Sequence, residues 1–306
     1  MSGFTVVRPG MLTTVQDAGR FGFQHVGVPA AGPMDWWSHE AANRLCGNDF
    51  HAAALEITLI GPELELTGSA IAAVVGANFE ITVSGTPVPL NEVFLVEAGQ
   101  RLALGTRRSG ARAYLAFAGG IGVPEVMGSR ATHVKGALGG VQGRALRRGD
   151  AVPLMETGGA APRSRGSGRA LTVPHLPLTP PVTLRAIEGP EPCPSSFWES
   201  TFTVSPQSDR MGYRLEGATL DAPGDQLSSA VAMGTVQITP SGTCVLLMAD
   251  RATSGGYARA ATVITADLPV AGQLAPGDTL RFRPASPAEA RDAEADMRAR
   301  LPGAAA

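Results

Sequence analysis

The sequence predicts a mainly β protein made of two similar β-domains with few short helices. Three observations carry this. Glycine (38) and proline (24) punctuate short apolar stretches along all 306 residues, the pattern of short strands closed by turns. An echo recurs: "RFGFQHVG" from Arg20 matches "RMGYRLEG" from Arg210, with Arg, Gly, an aromatic and Gly at identical spacing. Between the halves lies "TGGAAPRSRGSGRA" (Thr157 to Ala170), Gly/Ser/Arg-rich and without apolar periodicity, as a linker is. The expected division is a first domain over residues 1–156, a linker over 157–180 and a second domain over 181–306 that ends in a helix.

In chain order, "TTVQDAGRFGFQHVGVPAAGPMD" (Thr13 to Asp35) comes before any recognisable helix. Gly19, Gly22 and Gly27 are too crowded for a helix and predict a tightly bending loop, with Asp17 and Arg20 in its least regular part. Neither GxGxxG after a strand nor GxxxxGK[ST] occurs, so the loop is no nucleotide cradle. A helix follows from Asp35 to about Cys46. Asp35 is its N-cap, Ala41, Ala42 and Leu45 share one side, and Gly47 ends it.

Strand segments come next: "LEITLIGPELELTG", "AIAAVVGANFEITVSG", "EVFLVEAGQRLALG" and "ARAYLAFAGG". Leu64 and Leu66 alternate with Glu63 and Glu65, as on a half-buried strand. Glu56, within "LEITL", is expected to face solvent. "EAGQRLAL" from Glu97, "RRGDAVPL" from Arg147 and "APGDTLRF" from Ala275 each place a tight Gly turn before an alternating strand. The last element opens at "SPAEARDAEADMRARL", with Ser286 as N-cap and Pro287 in the first helical position.

Composition excludes several classes. Hydrophobic content of 44% suffices for a buried core, and a net charge of −2 argues against nucleic acid or an anionic membrane as partner. No apolar run has transmembrane length, and "MSGFTVVRPG" lacks a signal peptide's regions. Cys46, Cys193 and Cys244 are odd in number and widely spaced, and read as reduced, packed thiols of a cytoplasmic protein. Five histidines form no HxxxH or HExxH, so no metal site is expected. Lys135 is the single lysine among 25 basic residues. Codon bias explains the arginines, and the survivor is either chance or a site that needs a compact ammonium.

Five blocks in order carry a resemblance: "TVQDAGRFGFQHVGVPAAGPMD", "YLAFAGGIGVPEVMGSRAT", "SDRMGYRLEG", "GTVQITPSG" and "ADRATSGGYARAATVITADLPVAGQLAPGD". From about Val6 to Phe282 the chain resembles the biotin-dependent carboxyltransferase-like family. That family includes the C subunit of bacterial 5-oxoprolinase, KipA-type regulators, allophanate hydrolase subunit 2 and the carboxyltransferase domain of urea carboxylase. The resemblance implies two tandem cyclophilin-like β-barrel domains. It implies first a 5-oxoprolinase C subunit that works with a KipI-like B subunit and a metal-hydrolase-like A subunit. Such an assembly converts 5-oxo-L-proline to L-glutamate with ATP, and this component is active only within it. The alternatives it implies are a KipA-type protein that binds a kinase-inhibitor partner, or a carboxyltransferase served by a biotin-carrying chain. No cofactor is expected in this chain: it has no Walker motif, and no Met-Lys biotinylation pattern, since its lysine follows Val134. Asp209, Ser229, Ser254 and Ala258 depart from the family's usual residues.

Candidate site residues lie in three loops. Asp17 and Arg20 either fork a substrate carboxylate or phosphate, or lock their own loop. "GSRATHVKGALGG" sets Arg130 and Lys135, as catalytic cations, beside Ser129, Thr132 and a Gly-Gly turn suited to an anion. "ADRATSGGY" offers Asp250 and Tyr257 for catalysis and Thr253, Ser254, Gly255 and Gly256 for substrate binding. Gln237, a polar residue in a β-run, is expected to reach the same cleft, and a small-molecule substrate is expected between the domains.

Overall fold

Turn chemistry decides where strands begin. Gly99, Gly149 and Gly277 take φ of 79°, 88° and 90°, the left-handed region that glycine enters without a Cβ penalty. In each turn the next residue reaches back to the first. Gln100 Oε1 accepts from the Glu97 N–H at 2.8 Å, Asp150 Oδ2 from Arg147 at 2.7 Å, and Asp278 Oδ2 from Ala275 at 2.8 Å. The three repeated motifs are thus one capped turn used three times, each followed by a strand.

The structure, a computed structural model, describes residues 2–156, 178–221, 224 and 226–303. The linker segment expected from Thr157 to Ala170 lies outside the described residues. The chain clusters into two units. One comprises Met1–Arg20, Ala31–His175 and Ala299–Ala306, and the other Phe21–Ala30 and Leu176–Arg298. The protein is mostly β, as the sequence predicts, with 38% strand and 14% helix.

The first unit holds β1 (Gly3–Arg8), β2 (Leu12–Gln16), α1 (Trp36–Leu45), β3 (Ala54–Thr58), β4 (Glu63–Leu66) and β5 (Ala70–Val83). After these come β6 (Thr86–Pro87), β7 (Val93–Val96), β8 (Arg101–Phe117) and β9 (Ala151–Pro153). They form one nine-stranded sheet in the order β2-β3-β8-β4-β1-β9, with β5 on β8 and carrying β6 and β7. The sheet curls into a half-barrel. Shifts in the β5–β8 register between Gly76 and Ile81 mark bulges, which bend and twist a long hairpin. Inside the curl, Phe4, Leu55, Leu64, Val74, Leu115 and Phe117 are buried, and the rings of Phe4 and Phe117 stack at 5.5 Å. Leu64 and Leu66 point inward while Glu63 and Glu65 are half-exposed, the alternation read from the sequence.

Helix α1 begins where Asp35 caps it: the Ser38 N–H donates to Asp35 Oδ1 at 2.9 Å. It ends at Cys46, with Gly47 at φ 76° beyond. Both ends match the expected cap and stop.

The second unit contains β10 (Val182–Glu188), α2 (Ser195–Glu199), β11 (Phe202–Val204), β12 (Gly212–Glu216), β13 (Ser229–Ala230) and β14 (Thr235–Ile238). β15 (Cys244–Leu247), β16 (Ser254–Gly255), β17 (Ala258–Val263), α3 (Leu268–Gly272), β18 (Thr279–Pro284) and α4 (Pro287–Ala299) complete it. Seven strands close a barrel in the order β10-β17-β14-β15-β12-β11-β18. Parallel pairing of β10 with β18 makes the seam, and Phe197 stacks on Phe282 at 4.8 Å beside it. Strands β13 and β16 pair apart as a two-stranded ribbon. Ser286 caps α4 through the Glu289 N–H at 3.1 Å, as expected.

The echo seen in sequence has two local structures. Tyr213 and Leu215 face inward on β12, opposite Leu246 and Cys244. Gln24–Val26 forms only a single 3-10 turn, because Gly27 at φ 81° stops it and none of its residues is buried. All three cysteines are unpaired thiols. Burial pushes Cys46 and Cys244 up to about 12 and Cys193 up to about 11, so none is a thiolate at neutral pH.

Candidate functional site

In the first unit, β2 hands the chain to Asp17, whose carboxylate is buried among donors. It accepts from the Gly19 N–H at 2.9 Å, the Ser129 hydroxyl at 2.7 Å and the Arg130 N–H at 2.5 Å. Arg20 is wholly buried and works in the opposite sense. It donates to the carbonyls of Val126 (2.8 Å), Ser129 (3.4 Å) and Ala131 (2.9 Å). Residues 126–131 are therefore gripped by an anion on their donors and a cation on their acceptors. The sequence leaves this pair either to fork a ligand or to pin its own loop, and in the structure both side chains hold a second loop, residues 126–131.

The gripped loop presents Arg130, partly exposed, with its Nε on the Val123 carbonyl and an ion pair to Glu125 at 2.7 Å. The glycines after Lys135 serve close packing. A Cβ on Gly139 would fall 2.8 Å from Arg20 Nη2, and one on Gly140 only 2.0 Å from Thr132 Oγ1. The Gly140 N–H is already donated to the Arg130 carbonyl at 2.8 Å. Lys135 itself is exposed, at the tip of a turn closed by reciprocal bonds between His133 and Leu138.

Beside this loop lies a polar cluster that sequence reasoning misses. The strand pattern puts Glu56 on the surface, yet it is 1% exposed. Helix α1 covers the face of β3 that carries it, and the helix brings polar groups of its own. Glu56 Oε2 accepts from the Tyr114 hydroxyl at 2.7 Å and from the Met34 N–H at 2.8 Å, while the Asp35 N–H donates to the Tyr114 oxygen at 2.8 Å. Burial, with the carboxylates of Glu56 and Asp35 nearby, raises the Tyr114 phenol well above its ordinary value.

His39 is buried too, and burial lowers its pKa, so its imidazole is neutral at pH 7. Its Nε2 faces the Gln16 carbonyl at 3.1 Å, which places the proton on that nitrogen. Gln16 Nε2 donates to Thr14 and to the Thr132 carbonyl, tying this cluster to the gripped loop. The signal in the sequence is the helix itself: Asp35, His39 and Asn43 recur at one-turn spacing and demand polar partners.

In the second unit the predicted residues divide. Asp250 is held in a buried, two-pronged ion pair with Arg210, Nε to Oδ2 and Nη2 to Oδ1 both at 3.0 Å. Such a pair gives each oxygen one charge-assisted hydrogen bond and fixes the plane of the carboxylate. Thr253, Ser254, Gly255 and Gly256 run along the ribbon of β13 and β16. Ser254 pairs with Ala230 and Gly255 with Ser229, and the Thr253 carbonyl accepts from Val231 at 3.2 Å. The Gly256 carbonyl accepts from Gln226 at 3.0 Å. Gln237 reaches Gly255, where a Cβ would sit 2.7 Å from its Nε2. Tyr257 is 46% exposed. No cluster of three or more His, Cys, Asp or Glu able to hold a metal occurs among the described residues.

Comparison with known proteins follows the same span. The family model described as carboxyltransferase domain, subdomain A and B, matches residues 26–284. The chain is 38% identical over 300 residues to the C subunit of Escherichia coli 5-oxoprolinase, covering 95% of this chain and 94% of that protein. The Haemophilus influenzae 5-oxoprolinase C subunit is 34% identical, over 90% of this chain and 89% of that one. The crystal structure of the Kluyveromyces lactis urea carboxylase aligns at a TM-score of 0.88 and 31% identity, covering 98% of this chain but 29% of that chain.

Proposed function

The chain belongs to the family of the carboxyltransferase domain, subdomain A and B, and from that membership we propose that it is the C subunit of an ATP-dependent 5-oxoprolinase. The observation that carries this reading is the reach of the match: 38% identity over 94% of a protein that bears that name. The assembly would turn 5-oxo-L-proline, ATP and water into L-glutamate, ADP and phosphate. An unstrained lactam resists hydrolysis. Transfer of a phosphoryl group to the lactam oxygen activates the carbon, one water adds and the C–N bond opens to leave an acyl phosphate, and a second water hydrolyses that to the carboxylate and phosphate.

The partners called for are a metal-hydrolase-like A subunit and a KipI-like B subunit in the cytoplasm. ATP is used by the assembly and this chain carries no cofactor of its own. Lys135 is the cation we place near developing negative charge, with Arg130 beside it on the gripped loop; Asp17 and Arg20 then act by positioning that loop. Asp250 and Tyr257 are the matching candidates of the second unit.

The test is reconstitution. The chain alone should be inert, and ATP-dependent glutamate should form only with the A and B subunits. Within the active assembly, Lys135→Ala should cut turnover about tenfold or more. A thermal melt should move by no more than about 0.5 kcal/mol. Unchanged turnover in that variant ends the role of Lys135, and glutamate from the chain alone ends the reading of the chain as one part of an assembly.

The likeness to a urea carboxylase favours a second reading, a carboxyltransferase served by a biotin-carrying partner. Carboxyl transfer from a carboxylated biotin domain, with no 5-oxoproline turnover in the reconstituted assembly, would select it.

A further inference from the structure

Among the described residues, the buried and partly buried arginines of the second unit come with carboxylates, save one. Arg185 pairs with Asp267 at 2.7 Å, Arg210 with Asp250 at 3.0 Å and Arg259 with Glu191 at 2.7 Å. Arg251 is likewise partly buried, but its side chain makes one hydrogen bond among the described residues, from Nε to the Val231 carbonyl at 3.1 Å. Burial lowers its pKa with no opposing charge to offset it. A guanidinium anchored by Nε keeps its other edge for a planar, two-oxygen anion.

A second unsatisfied group lies against the β13–β16 ribbon from the barrel strand β14. Gln237 is 5% exposed, its Nε2 is sealed from solvent, and its side-chain amide has no hydrogen bond among the described residues. A buried polar group without a partner calls for an explanation, and a bound ligand is one. Gln237 packs under Gly255, which pairs with Ser229, while Arg251 bonds Val231 two residues further along. At about 3.4 Å per residue the two groups' attachment points on the ribbon are about 7 Å apart. That is the scale of a small molecule with a carboxylate at one end and an amide at the other. Gly255 packs directly on that amide, and a Cβ there would come within 2.7 Å of Nε2 and displace it.

We propose that the β13–β16 ribbon is a binding site for a small amide that bears a carboxylate, with Arg251 taking the carboxylate and Gln237 the amide. The identification of that ligand as 5-oxo-L-proline rests on the function proposed above; the site itself rests on the two unsatisfied side chains. Lactam and carboxylate are the two polar ends of that substrate, so the ribbon would fix its orientation and reject neutral lactams.

The experiment measures KM and kcat of the assembly with its A and B subunits, for 5-oxo-L-proline and for its carboxamide, together with calorimetric binding of 5-oxo-L-proline. Arg251→Met keeps the aliphatic stem. It should raise KM for the acid about tenfold or more, with kcat within about twofold, and leave KM for the carboxamide unchanged. Gly255→Ala should raise KM for both. Should Arg251→Met fail to assemble, Arg251→Lys carries the same comparison with a smaller rise. A KM for the acid that ignores both Arg251 variants, or equal losses for acid and carboxamide, overturns the site. Wild-type assembly that binds 5-oxo-L-proline through Arg251 without turning it over sinks the proposed reaction and keeps the site. Turnover that is indifferent to Arg251 does the reverse.

Discussion

The loop after β2 and the surroundings of the β13–β16 ribbon each hold an arginine drawn out of bulk water, and the fold serves the two very differently. In the first, Asp17 accepts from three donors and Arg20 donates to three carbonyls, so both charges are held by the chain around them. In the second, Arg251 has one carbonyl and Gln237 has no hydrogen bond among the described residues. The difference teaches that a buried charge is not by itself a sign of function. What matters is how many partners the fold supplies to it: three carbonyls for Arg20, one for Arg251.

The sharpest way to break this contrast is Arg20→Ala. It strands the Val126 and Ala131 carbonyls and empties a fully buried volume, and should cost about 3 kcal/mol or more. A chemical-denaturation midpoint equal to wild type would show that the loop does not depend on its cation. Tyr114→Phe comes next. It removes a hydroxyl that donates to Glu56 and accepts from Asp35, for a loss of about 1–3 kcal/mol. A neutral result would mean that the Glu56 cluster finds other partners.

His39 gives a smaller, pH-dependent effect. Its folded pKa lies below its unfolded value near 6.5, so below that pH the unfolded chain binds the proton first. The stability due to neutral His39 is whole above about pH 6.5 and falls as pH drops toward the lowered folded value, by at most about 1.4 kcal/mol per pH unit. His39→Gln should flatten the acid limb of a stability–pH curve measured from pH 7 to 5; an unchanged slope would count against a buried, neutral imidazole.

Smallest of all should be the stability change in Arg251→Met, within about 0.5 kcal/mol, because no ion pair is lost. A loss as large as that of Arg20→Ala would erase the contrast and make Arg251 a structural residue.

Much of the fold is legible in the chain because it is written locally. Asp35 and Ser286 cap helices three residues away, and the glycines of three turns need nothing beyond their neighbours. The site is less legible because its partners are distant. Arg20 donates to carbonyls more than a hundred positions on, and nothing near it in sequence distinguishes it from Arg251. Glu56 misleads for a related reason: alternation in "LEITL" separates two faces of a strand but does not say that a polar helix covers the second.

The thrice-used turn, in which Gln100, Asp150 and Asp278 cap their own loops, bears on how quickly the chain finds its fold. Contacts three residues apart close early, long before strands that are far apart in sequence can meet. Each turn therefore sets the first residue of its strand while the rest of the chain is still searching. A strand whose starting point is already set cannot slip by one residue, the error that would turn its apolar face outward. Weakening such a turn should appear first as slower refolding and more aggregate, with the finished molecule much as before.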